Sequence, residues 1–371
     1  MQFTLNPMGI IRTFTAITKD DVALAGGKGA SLGEMTQAGI PVPQGFVLLS
    51  EAFERFIQET NLGAEIDSLL HKVKHEEMHT VERASEQIQA LILQSQMPKD
   101  IANEVKKHFK TLGAKYVAVR SSATAEDSST AAWAGQLDSY LNTTEEKLLE
   151  HVQRCWASLF TPRAIFYRFE KDLHKTNISV AVVVQKMINS EISGIAFSVH
   201  PVTQDYNQLI IEACFGLGEA IVSGTITPDS YVVEKQPRRI LEKNIVEQKR
   251  GLYRKEQGGN EWHERIPHGH QQKLSDAQIL ELTAIVLTIE DHYGFPCDIE
   301  WAFEKGKFFI TQSRPITTLT EKEKEKKFFF EKEVTRDLAL LAIEGFGPAL
   351  INLYHKWRSR INAFQFIIKI N

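Results

Sequence analysis

The sequence predicts a mixed helix-and-strand protein in two parts, either two domains or one large α/β domain with subdomains. Three observations carry this. The length, 371 residues, is enough for two ordinary domains and a sizeable core. Stretches with apolar residues at helical spacing, chiefly 64–112, 145–170 and 274–293, alternate with β-branched runs such as 178–188. Near residue 190 the pattern changes to shorter strands and turns, so a boundary is expected between a first part, 1–190, with a helical insertion at about 51–112, and a second, 191–318. Residues 319–371 read as a charged linker followed by an amphipathic helical tail.

Charge and cysteine content narrow the function classes. The chain carries 43 basic and 47 acidic residues, a net charge of −4, which is not the basic excess of a nucleic-acid binder. Cys155, Cys214 and Cys297 are far apart and form neither a C-x-x-C pair nor a zinc spacing, so they read as buried thiols of a cytoplasmic protein. No apolar leader precedes a small-residue cleavage site, and no run of eighteen apolar residues occurs, so no membrane partner is expected.

In chain order, the first candidate site is the glycine-dense turn Gly26-Gly27-Lys28-Gly29-Ala30-Ser31-Leu32-Gly33, which opens a helical pattern through Met35. It is not a Walker A loop, because Val22 stands where the first glycine belongs and Gly29 where Ser or Thr belongs. It misses the Rossmann spacing as well, since Gly33 arrives one residue late. A lysine at a helix N-terminus suits an anion, and the same residues also suit an ordinary loop-to-helix turn. Further on, Ser50 is a candidate N-cap for a helix to Glu59. His71, His75 and His79 are spaced four apart, as on one helix face, but the lysines and glutamates around them indicate a solvated face rather than a metal stripe.

The segment Val117–Asn142, VAVRSSATAEDSSTAAWAGQLDSYLN, is the focus of the chain. A short β run, Val117-Ala118-Val119, delivers Arg120 into a loop with Ser121, Ser122, Thr124, Ser128, Ser129 and Thr130, and Gly135 leads to a second alternating run. Arginine offers a planar fork of donors to phosphate, and the hydroxyls add more. The same composition also fits a solvent-exposed polar loop. The strand 178–188 ends in Gln185-Lys186-Met187-Ile188, whose tail can line a flat heterocycle or simply close a buried strand. Residues 247–275 are polar and read as surface excursions, His268 and His270 included.

The last constellation is Cys297–Thr317, CDIEWAFEKGKFFITQSRPIT. A three-residue turn, Glu304-Lys305-Gly306, pairs Phe303 with Lys307 and puts Asp298, Glu300, Gln312 and Arg314 on one face, with Ile299, Trp301, Phe303 and Phe309 on the other. A two-residue Lys-Gly turn shifts the register by one and splits the polar pairs. Two carboxylates and an amide suit a hard cation such as Mg²⁺, and the neighbouring arginine suits phosphates bridged by it. An internally satisfied ion-pair network is the alternative.

Taken together, GGKGASLGEM, PVPQGF, VAVRSSATAEDSSTAAWAGQLDSYLN and DIEWAFEKGKFFITQSRPIT resemble the N-terminal nucleotide-binding domain of the phosphoenolpyruvate synthase, pyruvate phosphate dikinase and rifampicin phosphotransferase family, over about Ala25 to Thr317. The resemblance implies an α+β ATP-grasp fold in which two subdomains close on ATP. It also implies that Lys28 and Arg120 hold phosphates, that Gly135 and Ser139 belong to the loop above them, and that Gln185, Lys186 and Met187 line the adenine pocket. Glu300 and Gln312 then handle Mg²⁺ and nucleotide with Asp298 nearby, and Arg314 contacts phosphate. Arg120 and Arg314 are the implied catalytic pair, because the chemistry is the positioning and charge neutralisation of an in-line phosphoryl transfer.

In this family ATP phosphorylates a histidine on a swivelling domain. In the synthase, ATP, pyruvate and water give phosphoenolpyruvate, AMP and phosphate. None of the twelve histidines here has the Thr-Ser-His-Ala type of setting that marks the carrier domain. The expectation is an ATP-binding part whose phosphocarrier-histidine and acceptor domains lie outside the chain, with 319–371 as the truncated start of the next region. A rifampicin-type phosphotransferase domain and a stand-alone nucleotide-binding regulatory module are the alternatives.

Overall fold

Residues up to Lys186 build one antiparallel sheet, and residues from Ile192 onwards build a second. A computed structural model describes residues 9–74, 76–124, 137–170, 178–317 and 319. All the elements below lie in one compact unit, Met1–Ile316. The expected helical tail, apart from Leu319, lies outside the described residues.

In the first half, the chain runs β1 (Ile11–Thr13), α1 (Val22–Gln37), β2 (Gly45–Leu48), α2 (Ser50–Glu59), α3 (Gly63–His71), α4 (Met78–Gln94) and α5 (Lys99–Leu112). It continues with β3 (Val117–Ala123), β4 (Ser139–Thr143), α6 (Leu148–Ala157), α7 (Pro162–Glu170) and β5 (Val180–Lys186). The sheet order is β1-β2-β5-β3-β4. β5 is central and buried on both faces, which explains its unbroken apolar run, Val180 to Val184, in place of alternation. Val180, Val182 and Val184 face a core filled by Phe56, Ile88, Val105 and Trp156 from the helical insertion and α6.

The second half runs β6 (Ile192–Phe197), β7 (Gln208–Phe215), α8 (Glu219–Val222), β8 (Asp229–Glu234), β9 (Arg239–Asn244), β10 (Gly251–Arg254), β11 (Asn260–His263), α9 (Asp276–Tyr293), β12 (Cys297–Glu304) and β13 (Lys307–Pro315). Six of its strands form a sheet in the order β13-β12-β6-β7-β8-β9, and β10 and β11 form a separate hairpin. α9 ends at Tyr293 as expected but starts two residues after Leu274: Ser275 caps Gln278, whose side chain returns the bond, and Gly294 in the left-handed region stops the helix. A second core joins the two sheets. Ala181 and Val183, on the other face of β5, share it with Leu32 and Met35 of α1, Ile211, Ile299 and Trp301 of the second sheet, and Val286 of α9.

Two expectations change here. His71 closes α3 and His79 lies in α4, with a turn between them, so no single helix face carries the histidines; His75 is outside the described residues. Residues 247–275 are not simply a surface excursion. Lys273 and Asp229 form a 2.8 Å ion pair with both side chains at 0% exposure. Asp229 also accepts from Tyr231 Oη at 2.8 Å and from the amides of Val246 and Lys273, each at 2.9 Å. Lys273 Nζ donates to the carbonyls of Val246 at 2.5 Å and Gly269 at 3.1 Å. The polar composition of this segment hides a fully bonded charge pair, which is how a buried charge becomes tolerable.

Candidate functional site

Arg120 lies on β3, between β5 and β4. Val117 and Val119 face the helical core, so Ala118, Arg120 and Ser122 occupy the opposite face. The strand extends through Ala123, further than the short run expected, and this changes what the neighbouring hydroxyls do. Ser122 Oγ donates to the Ala25 carbonyl at 2.9 Å and accepts the Gly29 amide at 3.2 Å. Ser121 Oγ donates to the Asp138 carbonyl at 2.5 Å, and Thr124 Oγ1 to that of Ser179 at 3.1 Å. These hydroxyls stitch the fold together instead of lining a cradle. Ser128, Ser129, Thr130 and Gly135 lie outside the described residues.

The glycine turn docks on the same face. Gly26 interrupts α1 with φ 68°, and a Cβ there would lie 2.2 Å from Ser122 Oγ and 2.3 Å from the Ser122 carbonyl oxygen. Only glycine permits both the left-handed backbone and this approach. Helical geometry resumes after it, so Lys28 stands at the start of the resumed helix, beside the Arg120 strand.

The β12–β13 hairpin supplies the other side, and its turn differs from expectation. Glu304 pairs with Lys307, which leaves a two-residue Lys305-Gly306 turn with φ of 50° and 77°. The Lys305 amide donates to Glu191 Oε1 at 2.9 Å, an anchor from a residue remote in sequence. A two-residue turn alone would split the polar pairs. A bulge prevents it: the register shifts between Glu300 and Trp301, Thr311 is the extra residue, and beyond it Glu300 faces Gln312 and Asp298 faces Arg314. The four polar residues therefore share a face, but through a bulge rather than a longer turn.

Arg120 meets this face directly. Its Nη1 donates to the carbonyl of the bulge residue Thr311 at 2.7 Å, and its Nη2 to Gln312 Oε1 at 2.5 Å and Glu300 Oε2 at 3.3 Å. Arg120 is 8% exposed. Arg314 clasps Asp298 Oδ2 from Nε at 2.8 Å and from Nη2 at 2.7 Å, and 37% of its side chain remains exposed against 11% for Asp298. Burial pushes the Asp298 carboxyl up, Arg314 pulls it back down, and Glu300 adds repulsion.

Other sequence-predicted residues are arranged around this cluster by strand register. Ser139 is exposed on β4 opposite Arg120. Gln185 pairs with Ala118 on the Arg120 face, is buried, and donates to the Pro43 carbonyl at 3.4 Å. Lys186 is exposed, and its amide donates to the Gln44 carbonyl at 2.8 Å. The Met187 amide donates to the Tyr116 carbonyl at 3.0 Å, and its side chain packs against a small cluster of Leu217, Ala220 and Leu252.

Sequence reasoning missed Glu212. It pairs with Ile195, which pairs with Glu300, so it lies in the same cross-strand row on the site face. Burial raises its carboxyl, and Asp298 raises it further. The signal was in the strand's alternation: Leu209, Ile211 and Ala213 are core, which turns Glu212 outward. Among the described residues no group of three or more His, Cys, Asp and Glu could hold a metal ion, and no helix is long and apolar enough to cross a membrane.

The sequence matches the family model described as pyruvate phosphate dikinase, AMP/ATP-binding domain, over residues 22–334. It is 41% identical over 360 residues to a protein of Methanocaldococcus jannaschii named probable phosphoenolpyruvate synthase, covering 94% of this chain and 30% of that protein. The corresponding figures for a probable phosphoenolpyruvate synthase of Archaeoglobus fulgidus are 45% over 342 residues, 90% and 44%. For a rifampicin phosphotransferase of Bacillus cereus they are 40% over 310 residues, 82% and 36%. The chain thus spans 30–44% of the length of these three relatives.

Proposed function

Because this chain belongs to the pyruvate phosphate dikinase AMP/ATP-binding domain family, we propose that its two sheets are the subdomains of an ATP-grasp fold that holds Mg-ATP between β3 and the β12–β13 hairpin. The observation that carries this reading is Arg120, which crosses from the first sheet to bond Thr311, Gln312 and Glu300 of the second. A guanidinium, two carboxylates and an amide meet where a second guanidinium, on Arg314, stays partly exposed. Arg120 and Arg314 hold the phosphates as the catalytic pair, with Lys28 at the start of its helix and Ser139, on β4 opposite Arg120, contacting the nucleotide beside them. Gln185, Lys186 and Met187 line the base.

The donor set fits Mg²⁺. Glu300 and Gln312 offer oxygen ligands directly across a strand pair, with Asp298 beside them. So small a protein contribution suits an ion that keeps waters and binds substrate phosphates. When bound, Mg²⁺ neutralises phosphate charge. The chain's own part is to orient the triphosphate and fix positive charge where the transfer develops negative charge.

The full protein is then a phosphoenolpyruvate synthase-like dikinase. Its phosphocarrier histidine and acceptor site belong to other domains, and it converts pyruvate, ATP and water to phosphoenolpyruvate, AMP and phosphate. The Bacillus cereus relative supports a second reading, with rifampicin as acceptor. The full-length protein, given Mg-ATP and either pyruvate or rifampicin, is expected to release AMP and phosphate with pyruvate. Product formation with rifampicin alone selects the second reading, and turnover with neither overturns both.

A further inference from the structure

The β10–β11 hairpin lies apart from both sheets yet bonds to residues of each half. On the second-sheet side, the Leu217 amide donates to the Leu252 carbonyl at 2.9 Å. A Cβ on Gly216, where φ is 88°, would stand 2.4 Å from that same oxygen. Leu252 faces Trp262 across the hairpin, and both pack with Leu217, Ala220 and Met187.

On the first-sheet side the tip is fastened at several points. The Gly259 amide donates to the Asn142 carbonyl at 3.0 Å, and Asn142 Nδ2 to Asn260 Oδ1 at 2.7 Å. Asn260 Nδ2 donates onwards to Glu219 Oε2 at 2.9 Å, so one amide side chain links β4, the hairpin and α8. Tyr116 Oη donates to the Glu256 carbonyl, and the Arg254 guanidinium lies 4.6 Å from the Tyr116 ring centroid. Tyr116 is also the residue whose carbonyl holds the Met187 amide.

We propose that the β10–β11 hairpin is the third wall of the nucleotide's base site, with Leu252 and Trp262 completing the apolar slot begun by Met187 and Leu217 and Asn260 fastening that wall across to the first sheet. The inference rests on the nucleotide reading above. A flat heterocycle gains from apolar surfaces on both faces, and a wall fixed in advance does not have to be ordered on binding. Asn260 is a positioning residue, because it acts through the hairpin.

The test is calorimetry on the chain with Mg-ATP and with Mg-tripolyphosphate, which has the phosphates and no base. Asn260→Ala and Leu252→Ala are expected to weaken Mg-ATP about tenfold each and leave tripolyphosphate unchanged, with the exposed-tip variant Gln257→Ala matching the wild type for both. Melting curves confirm that the variants fold. Wild-type affinity for Mg-ATP in both folded variants overturns the inference alone, as does an equal loss for tripolyphosphate. No Mg-ATP binding by the wild type overturns the nucleotide reading and the inference with it.

Discussion

Two of the ion-pair clusters among the described residues, that of Asp229 with Lys273 and that around Arg120, differ in closure. Asp229 and Lys273 have no exposure and are surrounded by backbone and hydroxyl partners. The Arg120 cluster brings the same kinds of group together, but 25% of the Glu300 side chain and 37% of the Arg314 side chain are exposed. A closed set spends its charge on the fold, whereas an open set retains capacity for a ligand. Charge content alone does not separate a strut from a site; what separates them is what remains exposed after internal bonding.

The comparison breaks most sharply at the closed cluster. Lys273→Met leaves Asp229 buried without its cation and is expected to cost about 3–5 kcal/mol of stability, read by denaturant unfolding. A loss under about 1 kcal/mol would mean that the pair is not the strut described, since that is the range of exposed pairs. Deleting Thr311 comes next. Without the bulge residue Glu300 still faces Gln312, but the local kink and the carbonyl that accepts from Arg120 Nη1 are lost, and Mg-ATP affinity falls about 30-fold, or about 2 kcal/mol, by calorimetry. Arg314→Ala removes the more exposed cation and leaves Asp298 unpaired, with an expected loss of about tenfold, near 1.4 kcal/mol, in the same titration.

How much of this was legible in the sequence varies by element. α9 was, because Ser275, the apolar spacing and Gly294 are all local signals. The hairpin face was reached through the wrong turn. The two-residue loop is held by Glu191, and the compensating bulge at Thr311 has its carbonyl held by Arg120 of β3; neither remote partner leaves a mark in the local composition. Arg120 was legible as a donor fork, while Ser121 and Ser122 were misread because their backbone partners, Asp138 and Ala25, are set by tertiary packing. Polarity in 247–275 suggested solvent, but Lys273 is buried because its partners converge from β8 and two loops.

The smallest expected effect lies at the contact between α1 and α9. Glu34 accepts from the Lys19 amide at 3.1 Å and from His292 Nε2 at 2.8 Å. Burial raises its carboxyl, but those two partners outweigh it and hold the group below its ordinary value. A depressed folded value means stability that is present above the unfolded value, about 4.5, and is lost as pH falls through the folded one. Glu34→Gln is therefore expected to cost about 0.5–1 kcal/mol at pH 7, with the difference from wild type vanishing in acid, as read by melting curves across pH.

Under the proposed function, Arg120 serves a ligand more than the fold. Calorimetry of Arg120→Ala against wild type, with Mg-ATP and with melting curves in parallel, tests this most directly. The predicted result is micromolar-range binding by the wild type and a loss of about 100-fold, or about 2.7 kcal/mol, in a variant that still melts cooperatively. Unchanged Mg-ATP affinity in a folded Arg120→Ala chain would contradict it.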